Sequence, residues 1–101
     1  MTNITVEELK QKLDAGEKLN LVDVREPHEN AEFNIGGKLI PIGNIQSMQI
    51  EDIEDLKNEE VIFYCRSGNR SGISAAILDQ LGFSNTKNLV GGMLAWQEKF
   101  K

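Results

Sequence analysis

Short apolar runs of strand length alternate with helix-like segments along the whole chain, and this alternation restricts the fold more than any other feature. The run 60–65 (EVIFYC) is apolar without alternation, which is typical of a strand that is buried on both faces of a parallel sheet. Further strands are predicted within 19–24, 38–42 and 86–90. Because parallel strands are joined through helices, the pattern predicts an α/β fold, with a mainly parallel sheet that is covered by helices on both faces.

Helices are predicted where apolar residues recur every three or four positions. One begins after Thr5, a short one begins at Pro27, and a third covers 47–58. The last two cover 71–82 and 93–100, and they follow a loop and a glycine pair. In the helix 71–82 the residues predicted to face the core are Ile73, Ala76, Ile77 and Leu81.

Length and composition are those of one soluble domain. The chain has 101 residues, of which 40% are hydrophobic and 27% are charged, so we expect residues 1–101 to form a single domain. The net charge of −5 argues against a nucleic-acid or membrane partner, because no basic face dominates. The start of the chain lacks the pattern of a signal peptide, and a single cysteine excludes an internal disulfide. These observations predict a cytoplasmic location.

The only cysteine, Cys65, stands at the junction between the buried strand and a predicted helix. In the following loop, Gly68 and Asn69 tolerate left-handed backbone angles and let the chain curl tightly. A curled loop that enters a helix N-terminus turns several N–H groups toward its centre, which forms an anion cradle. These donors, the helix dipole, Arg66 and Arg70 would stabilise a thiolate, so we expect a lowered pKa and a strong nucleophile.

The expected chemistry uses this thiolate without a histidine. Cysteine hydrolases normally need a histidine to move protons, but the only histidine, His28, is interpreted as a solvated residue at a helix start. Transfer of a sulfane sulfur from thiosulfate fits, because sulfite is a good leaving anion. Cleavage of a phosphate monoester uses a similar cradle but usually recruits an acid for the departing alkoxide. One cysteine cannot build a thiolate metal site alone, and neither a metal nor a cofactor is predicted.

Three segments resemble the single-domain rhodaneses, which are thiosulfate sulfurtransferases. The segment 21–33 (LVDVREPHENAEF) resembles their Asp-Val-Arg motif and the acidic helix after it. The segment 61–71 (VIFYCRSGNRS) resembles their active-site strand and six-residue cysteine loop. The segment 89–96 (LVGGMLAW) resembles their Gly-Gly-x-x-x-Trp signature. Many members carry Gly-His-Ile-x-Gly-Ala and then Asn-Ile-Pro after the second strand. Here the segment 33–45 (FNIGGKLIPIGNI) has no histidine, so the resemblance does not predict the path of the chain at the site entrance.

The resemblance implies a five-stranded, mainly parallel sheet and a two-step cycle. The Cys65 thiolate would take the outer sulfur of thiosulfate, sulfite would leave, and a thiol or cyanide would then remove the sulfur from the persulfide. Backbone N–H groups of the loop would hold the persulfide, and Arg66 and Arg70 would hold the sulfonate. Ser67 and Ser71 could add hydroxyl donors, although Ser71 is equally a candidate helix cap. The predicted anion-binding residues are thus Arg66, Ser67, Gly68, Asn69, Arg70 and Ser71, and the predicted supporting residues are Asp23, Arg25, Gly91 and Gly92.

Other functions remain open at this point. A persulfide carrier that is fed by a partner enzyme would need the same loop. Phosphatases and arsenate reductases of this fold have five residues between cysteine and arginine, whereas four residues separate Cys65 from Arg70, and the smaller ring suits a single sulfur better than a phosphate. A non-catalytic module is disfavoured by the intact loop. The expected partners are a small anionic sulfur donor and a thiol acceptor. The acceptor thiol belongs to a small molecule or to a protein.

Overall fold

A five-stranded sheet forms the centre of the computed structural model, which describes residues 1–100. The strands are β1 (Thr2–Ile4), β2 (Asn20–Asp23), β3 (Lys38–Leu39), β4 (Glu60–Tyr64) and β5 (Asn85–Leu89). Their order across the sheet is β1-β5-β4-β2-β3, and each neighbouring pair is parallel. The predicted α/β fold with a mainly parallel sheet is confirmed.

Helices cover both faces of this sheet, as predicted. They are α1 (Val6–Asp14), α2 (Pro27–Glu32), α3 (Ile42–Gln46), a 3₁₀ helix (Glu51–Leu56), α4 (Asn69–Gln80) and α5 (Gly92–Phe100). The start of α1 has the capping box that its sequence suggests, since the N–H of Glu8 donates to Oγ1 of Thr5 and the N–H of Thr5 donates to the carboxylate of Glu8. Within residues 1–100, every helix is too short or too polar to cross a membrane.

The central strand β4 separates two hydrophobic clusters. Val61 and Phe63 pack on one face with residues of α3, the 3₁₀ helix and α4. Ile62 and Tyr64 pack on the other face with residues of α1 and α5, among them Trp96, which also makes an edge contact with the ring of Phe100. The prediction that this strand is buried on both faces is therefore confirmed.

The segment 47–58 does not form the single helix that was predicted. A short helix, α3, precedes it, and the segment itself contains the 3₁₀ helix. Ile50 and Ile53 are buried and Leu56 packs against them, at a spacing of three residues. A spacing of three is the period of a 3₁₀ helix and also occurs on one face of an α-helix, so the apolar pattern alone could not separate the two.

The predicted inner face of α4 is only partly right, because Ile77 and Leu81 are partly buried and pack against the core, whereas Ile73 and Ala76 are exposed. Ile73 is 52% exposed, and the residues of α4 that are buried against the sheet are Ser71, Ser74, Ala75 and Leu78. Three of these four buried residues have small side chains, which let the helix lie close to the sheet. The buried side of α4 is therefore not its most apolar side. The sequence pattern also did not predict β1, because only Ile4 of its three residues is buried.

Candidate active site

The cysteine loop lies at the carboxyl edge of the sheet, where sites are found in open α/β folds. Cys65 directly follows β4, and the loop 66–68 leads into α4 at Asn69. The two strands on either side of β4 end beside the loop, at Asp23 and Leu89. The fold thus brings together the cysteine loop, the end of β2 and the turn after β5, as the sequence motifs predict.

The sulfur of Cys65 is buried and faces several hydrogen-bond donors. Cys65 is 1% exposed. The backbone N–H groups of Gly68 and Ser71 donate to Sγ across 3.1 and 3.4 Å, and the Ser71 hydroxyl lies 3.4 Å from it. Gly68 has a φ of 102°, in the left-handed region, and this angle folds the loop back over the sulfur. The arrangement is that of an anion cradle at a helix N-terminus.

Burial and hydrogen bonding act on this thiol in opposite directions. Burial raises the pKa of Cys65, because it disfavours the charged thiolate. The hydroxyl of Ser71 and the N–H groups of Ser71, Gly68 and Ser67 lower that pKa by more, so it lies below the ordinary value of a thiol. A larger fraction of Cys65 is therefore thiolate at neutral pH than in a free cysteine, and the thiolate is the nucleophilic form.

Ser71 belongs to the cradle and is not a helix cap. Gly68 occupies the N-cap position of α4, and Ser71 is the third residue of the helix, with its hydroxyl near the sulfur. The interpretation of Ser71 as a cap is therefore wrong. Because α4 has no side-chain cap, the sulfur of Cys65 takes the place of a capping oxygen for the N–H groups of Gly68 and Ser71.

Three of the predicted anion-binding residues form the exposed rim of the site: Arg66, Ser67 and Asn69. The Arg66 side chain lines a cleft of about 190 Å³, whose walls also include Glu32 and Leu94. This cleft lies next to the cysteine loop and is open to solvent. The rim therefore presents a cation and polar groups to a molecule that approaches the sulfur.

Arg70 has a partner that the sequence did not reveal. Its two terminal nitrogens bind the two carboxylate oxygens of Glu29 at 2.8 and 2.9 Å. The hydrogen bonds from Arg70 hold the pKa of Glu29 at about 2, against an ordinary value of 4.5. Arg70, which was predicted to hold the substrate sulfonate, is therefore already paired with an anion of the chain itself, on α2.

Asp23 and Arg25 form a buried ion pair at the end of β2. Arg25 Nε donates to Asp23 Oδ1 at 2.9 Å, and Nη2 donates to Oδ2 at 2.8 Å. Asn30 donates to the same carboxylate at 2.9 Å, and Arg25 also donates to the backbone carbonyl of Phe33 at 2.6 Å. These contacts attach α2, which carries Glu29, to the end of the strand. The supporting role of Asp23 and Arg25 stays a prediction.

Gly92 lets the start of α5 approach the cysteine loop very closely, whereas a Cβ on Gly91 would meet Ala95 of α5 itself at 2.6 Å. The N–H of Met93 donates to the carbonyl oxygen of Cys65 at 2.9 Å, and the N–H of Leu94 donates to the carbonyl oxygen of Arg66 at 3.0 Å. A Cβ on Gly92 would lie 2.4 Å from the carbonyl oxygen of Cys65. The φ of Gly92, 54°, lies in the left-handed region. A side chain at this position would therefore push the loop away from α5.

The segment 33–45, which lacks the histidine that many single-domain rhodaneses carry there, is held by hydrogen bonds of Gly37 and Gly36. The N–H of Gly37 donates to the hydroxyl of Tyr64 at 3.1 Å, and a Cβ on Gly37 would lie 2.6 Å from the Tyr64 ring. The side chain of Asn34 receives a hydrogen bond from the N–H of Gly36 at 2.8 Å, which forms a tight turn. His28 is exposed on the first turn of α2, as interpreted from the sequence.

Two residues of the site were missed at the sequence level. Glu29 follows the Asp-Val-Arg motif, but the sequence gives no sign that it reaches Arg70. Asn88, in β5, accepts a hydrogen bond from the Ser71 hydroxyl at 2.5 Å. Most residues of β5 are polar, so the sequence carried no signal that would distinguish Asn88. Among residues 1–100, no group of three His, Cys, Asp or Glu side chains is placed to hold a metal ion.

Comparison with known proteins gives consistent matches. Residues 5–99 match the family described as Rhodanese-like domain. The chain is 43% identical over 100 residues to the Bacillus subtilis protein named "Putative sulfurtransferase YtwF", covering 97% of this chain and 92% of that protein. It is 38% identical over 97 residues to "Putative sulfur carrier protein YrkF" of the same species, covering 95% of this chain but 51% of that protein. The crystal structure of a rhodanese-like domain protein from Staphylococcus aureus superposes with a TM-score of 0.84 at 36% identity, covering 95% of this chain and 91% of that one.

The resemblance seen in the three sequence motifs is confirmed by these matches. The chain spans about half the length of the sulfur carrier protein and nearly all of the sulfurtransferase. One of these relatives is named as a putative sulfurtransferase and the other as a putative sulfur carrier protein. Since the family match extends over nearly the whole chain, this protein belongs to the rhodanese-like domain family.

Proposed function

We propose that this protein is a sulfurtransferase that carries a sulfane sulfur on Cys65. The sulfur donor is thiosulfate or a persulfide, and the acceptor is a thiol or cyanide. The observation that supports this most strongly is the convergence of the Gly68 and Ser71 N–H groups and the Ser71 hydroxyl on a buried sulfur. Such a cradle stabilises a thiolate.

The first half of the reaction loads the cysteine. The Cys65 thiolate attacks the outer sulfur of thiosulfate, a new S–S bond forms, and the bond between the two thiosulfate sulfurs breaks. Sulfite leaves with the electron pair of that bond. Because sulfite departs as an anion, the step needs no general acid, which agrees with a cradle built from backbone N–H groups and a hydroxyl.

The second half returns the enzyme to its starting state. The negative outer sulfur of the persulfide is held by the N–H groups of the loop 66–70. An acceptor thiolate, or cyanide, attacks this sulfur, and the Cys65 thiolate leaves with the electron pair. The lowered pKa of Cys65 assists here as well, because a stabilised thiolate is a better leaving group.

Two arginines are available for the sulfonate of thiosulfate. Arg66 is exposed at the rim and lines the cleft beside the loop. Arg70 is held by Glu29 through two of its five N–H groups, so its remaining donors can still bind an oxygen. We assign the sulfonate to both arginines, with the charge of Arg70 reduced by its carboxylate partner.

A second candidate function is that of a persulfide carrier, in which a partner enzyme loads Cys65 in place of thiosulfate. The match to a Bacillus subtilis protein that is named as a sulfur carrier favours it. Both functions share the Cys65 persulfide and differ in the donor alone.

Parallel product assays test the proposal. We expect sulfite release from thiosulfate when cyanide or a small thiol is present, and no phosphate release from an aryl phosphate. Cys65→Ser should release no sulfite. Phosphate release without sulfite would replace the proposal by a phosphatase. Sulfur loading from a persulfide donor without sulfite release from thiosulfate would favour the carrier.

A further inference from the structure

The Ser71 hydroxyl has one proton and two acceptors within reach. Its oxygen lies 2.5 Å from Oδ1 of Asn88 and 3.4 Å from Sγ of Cys65. Ser71 is fully buried, with an exposed fraction of 0%, so its hydroxyl finds its partners inside the protein. A hydroxyl donates one hydrogen bond at a time, and the proton therefore points either to Asn88 or to the sulfur.

Asn88 is held in place by the sheet. It pairs with Phe63 in the register between β4 and β5, just before β5 ends. Its side chain lies against the start of α4, since a Cβ on Gly72 would be 3.4 Å from Nδ2 of Asn88 and one on Gly68 would be 3.9 Å away. A group on a rigid strand, enclosed by a helix start, is well placed to orient a neighbouring side chain.

The charge on the sulfur decides which acceptor is stronger. A neutral thiol sulfur is a weak acceptor, so the amide oxygen of Asn88 then holds the proton, and the Ser71 oxygen turns a lone pair to the S–H group of Cys65. A thiolate carries a negative charge, and hydrogen bonds to charged acceptors are about twice as strong as neutral ones. The Ser71 hydroxyl then turns to the sulfur.

We propose that Asn88 is a positioning residue that holds the Ser71 proton while the Cys65 sulfur is neutral and yields it when the thiolate forms. This inference rests on the proposed function, in which the thiolate is the nucleophile. The thiol proton itself leaves to solvent. When the persulfide forms, the negative charge moves to the outer sulfur, Sγ becomes neutral, and the hydroxyl returns to Asn88. The outer sulfur is left to the backbone N–H groups of the loop.

Asn88 therefore competes with the thiolate for one proton, and its removal should favour the thiolate. The test is the pH dependence of Cys65 alkylation by iodoacetamide, a neutral reagent that requires neither a sulfur donor nor an acceptor. We expect Asn88→Ala to move the inflection about 0.5 to 1 pH unit lower, the shift that corresponds to losing one competing hydrogen bond. Asn88→Leu, which keeps the size of the side chain without an acceptor, should do the same. Asn85→Ala, at an exposed position of β5, should leave the inflection unchanged.

A double variant shows whether Asn88 acts through the hydroxyl. Ser71→Ala alone should raise the inflection, because the thiolate loses a donor, and Asn88→Ala added to it should cause no further shift. The proposal is overturned if Asn88→Ala and Asn88→Leu leave the inflection unchanged or raise it, which would mean that the amide presents Nδ2 to Ser71. It is equally overturned if the downward shift persists without the hydroxyl. Since alkylation involves no sulfur transfer, these outcomes are distinct from a failure of the proposed function.

Discussion

Arg70 binds both carboxylate oxygens of Glu29, and this ion pair joins the start of α4, directly after the cysteine loop, to α2. The partners are 41 positions apart in the sequence and both are half-buried. A sulfonate that binds Arg70 must share the guanidinium with this carboxylate. Glu29 thus limits the positive charge that the site offers to an anionic donor.

Replacing Glu29 should strengthen the binding of anionic donors. In Glu29→Gln the amide oxygen can still orient Arg70, but the compensating charge is lost. We expect the KM for thiosulfate to fall about fivefold, which corresponds to about 1 kcal/mol for a partly exposed pair. Steady-state kinetics with thiosulfate at constant ionic strength measures this change.

Glu32→Gln is the matched control, because Glu32 lines the same cleft, is exposed, and carries the same charge on the same helix. Its KM should change much less. Equal decreases in both variants would attribute the effect to the overall charge of the cleft and not to the pair with Arg70. An increase in KM in Glu29→Gln alone would mean that the pair aims Arg70 at the substrate.

The same pair should stabilise the fold in a pH-dependent way. The pKa of Glu29 is about 2 in the folded chain, below its ordinary value of 4.5, so the stabilisation is present above about pH 4.5 and is lost as the pH falls toward about 2. We expect Glu29→Gln to lower the free energy of unfolding by about 1 kcal/mol at neutral pH. Urea unfolding at a series of pH values should show this difference vanishing in strong acid. A difference that stays constant across the range would contradict the assignment.

Gly92→Ala should both destabilise the protein and disturb the cysteine loop. The new Cβ would lie 2.4 Å from the carbonyl oxygen of Cys65 and 2.6 Å from that of Arg66, both of which are hydrogen-bonded to α5. We expect a loss of about 3 kcal/mol in the free energy of unfolding, together with a large loss of sulfite release. Thermal or urea unfolding and the sulfite assay measure the two effects.

Gly82→Ala separates backbone strain from steric contact. Gly82 has a φ of 101°, but a Cβ there would meet no atom within 4 Å. This variant should lose about 1 kcal/mol, from strain alone, and keep full activity. If both variants lose stability and activity equally, the close approach of α5 to the loop is not what Gly92 provides.

The sequence predicts the fold best where burial is continuous. The run that became β4 is apolar at each position from Val61 to Tyr64, so its place at the centre of the sheet follows from composition alone. The inner face of α4 could not be predicted in this way, because Ser71 and Ser74 are buried where close packing and hydrogen bonds favour small polar residues. An apolar pattern marks the burial of large side chains and does not register such a face.

The candidate site also has a part that the sequence predicts and a part that it does not. The loop around Cys65 could be predicted, because its glycine, its arginines and the following helix are contiguous in sequence. The partners of the loop could not, because Glu29 and Asn88 reach it through the packing of α2 and β5, from 41 and 17 positions away from the residues that they contact. Polar contacts of this kind depend on side-chain geometry that no local spacing encodes.

The intact mass of the protein after incubation with thiosulfate tests the central claim most directly. A persulfide on Cys65 predicts a gain of about 32 Da, the mass of one sulfur, that a reductant removes and that Cys65→Ser does not show. The same gain should appear with a small persulfide donor. No gain with thiosulfate or with any persulfide donor, in a protein whose Cys65 is still alkylated by iodoacetamide, would contradict the account.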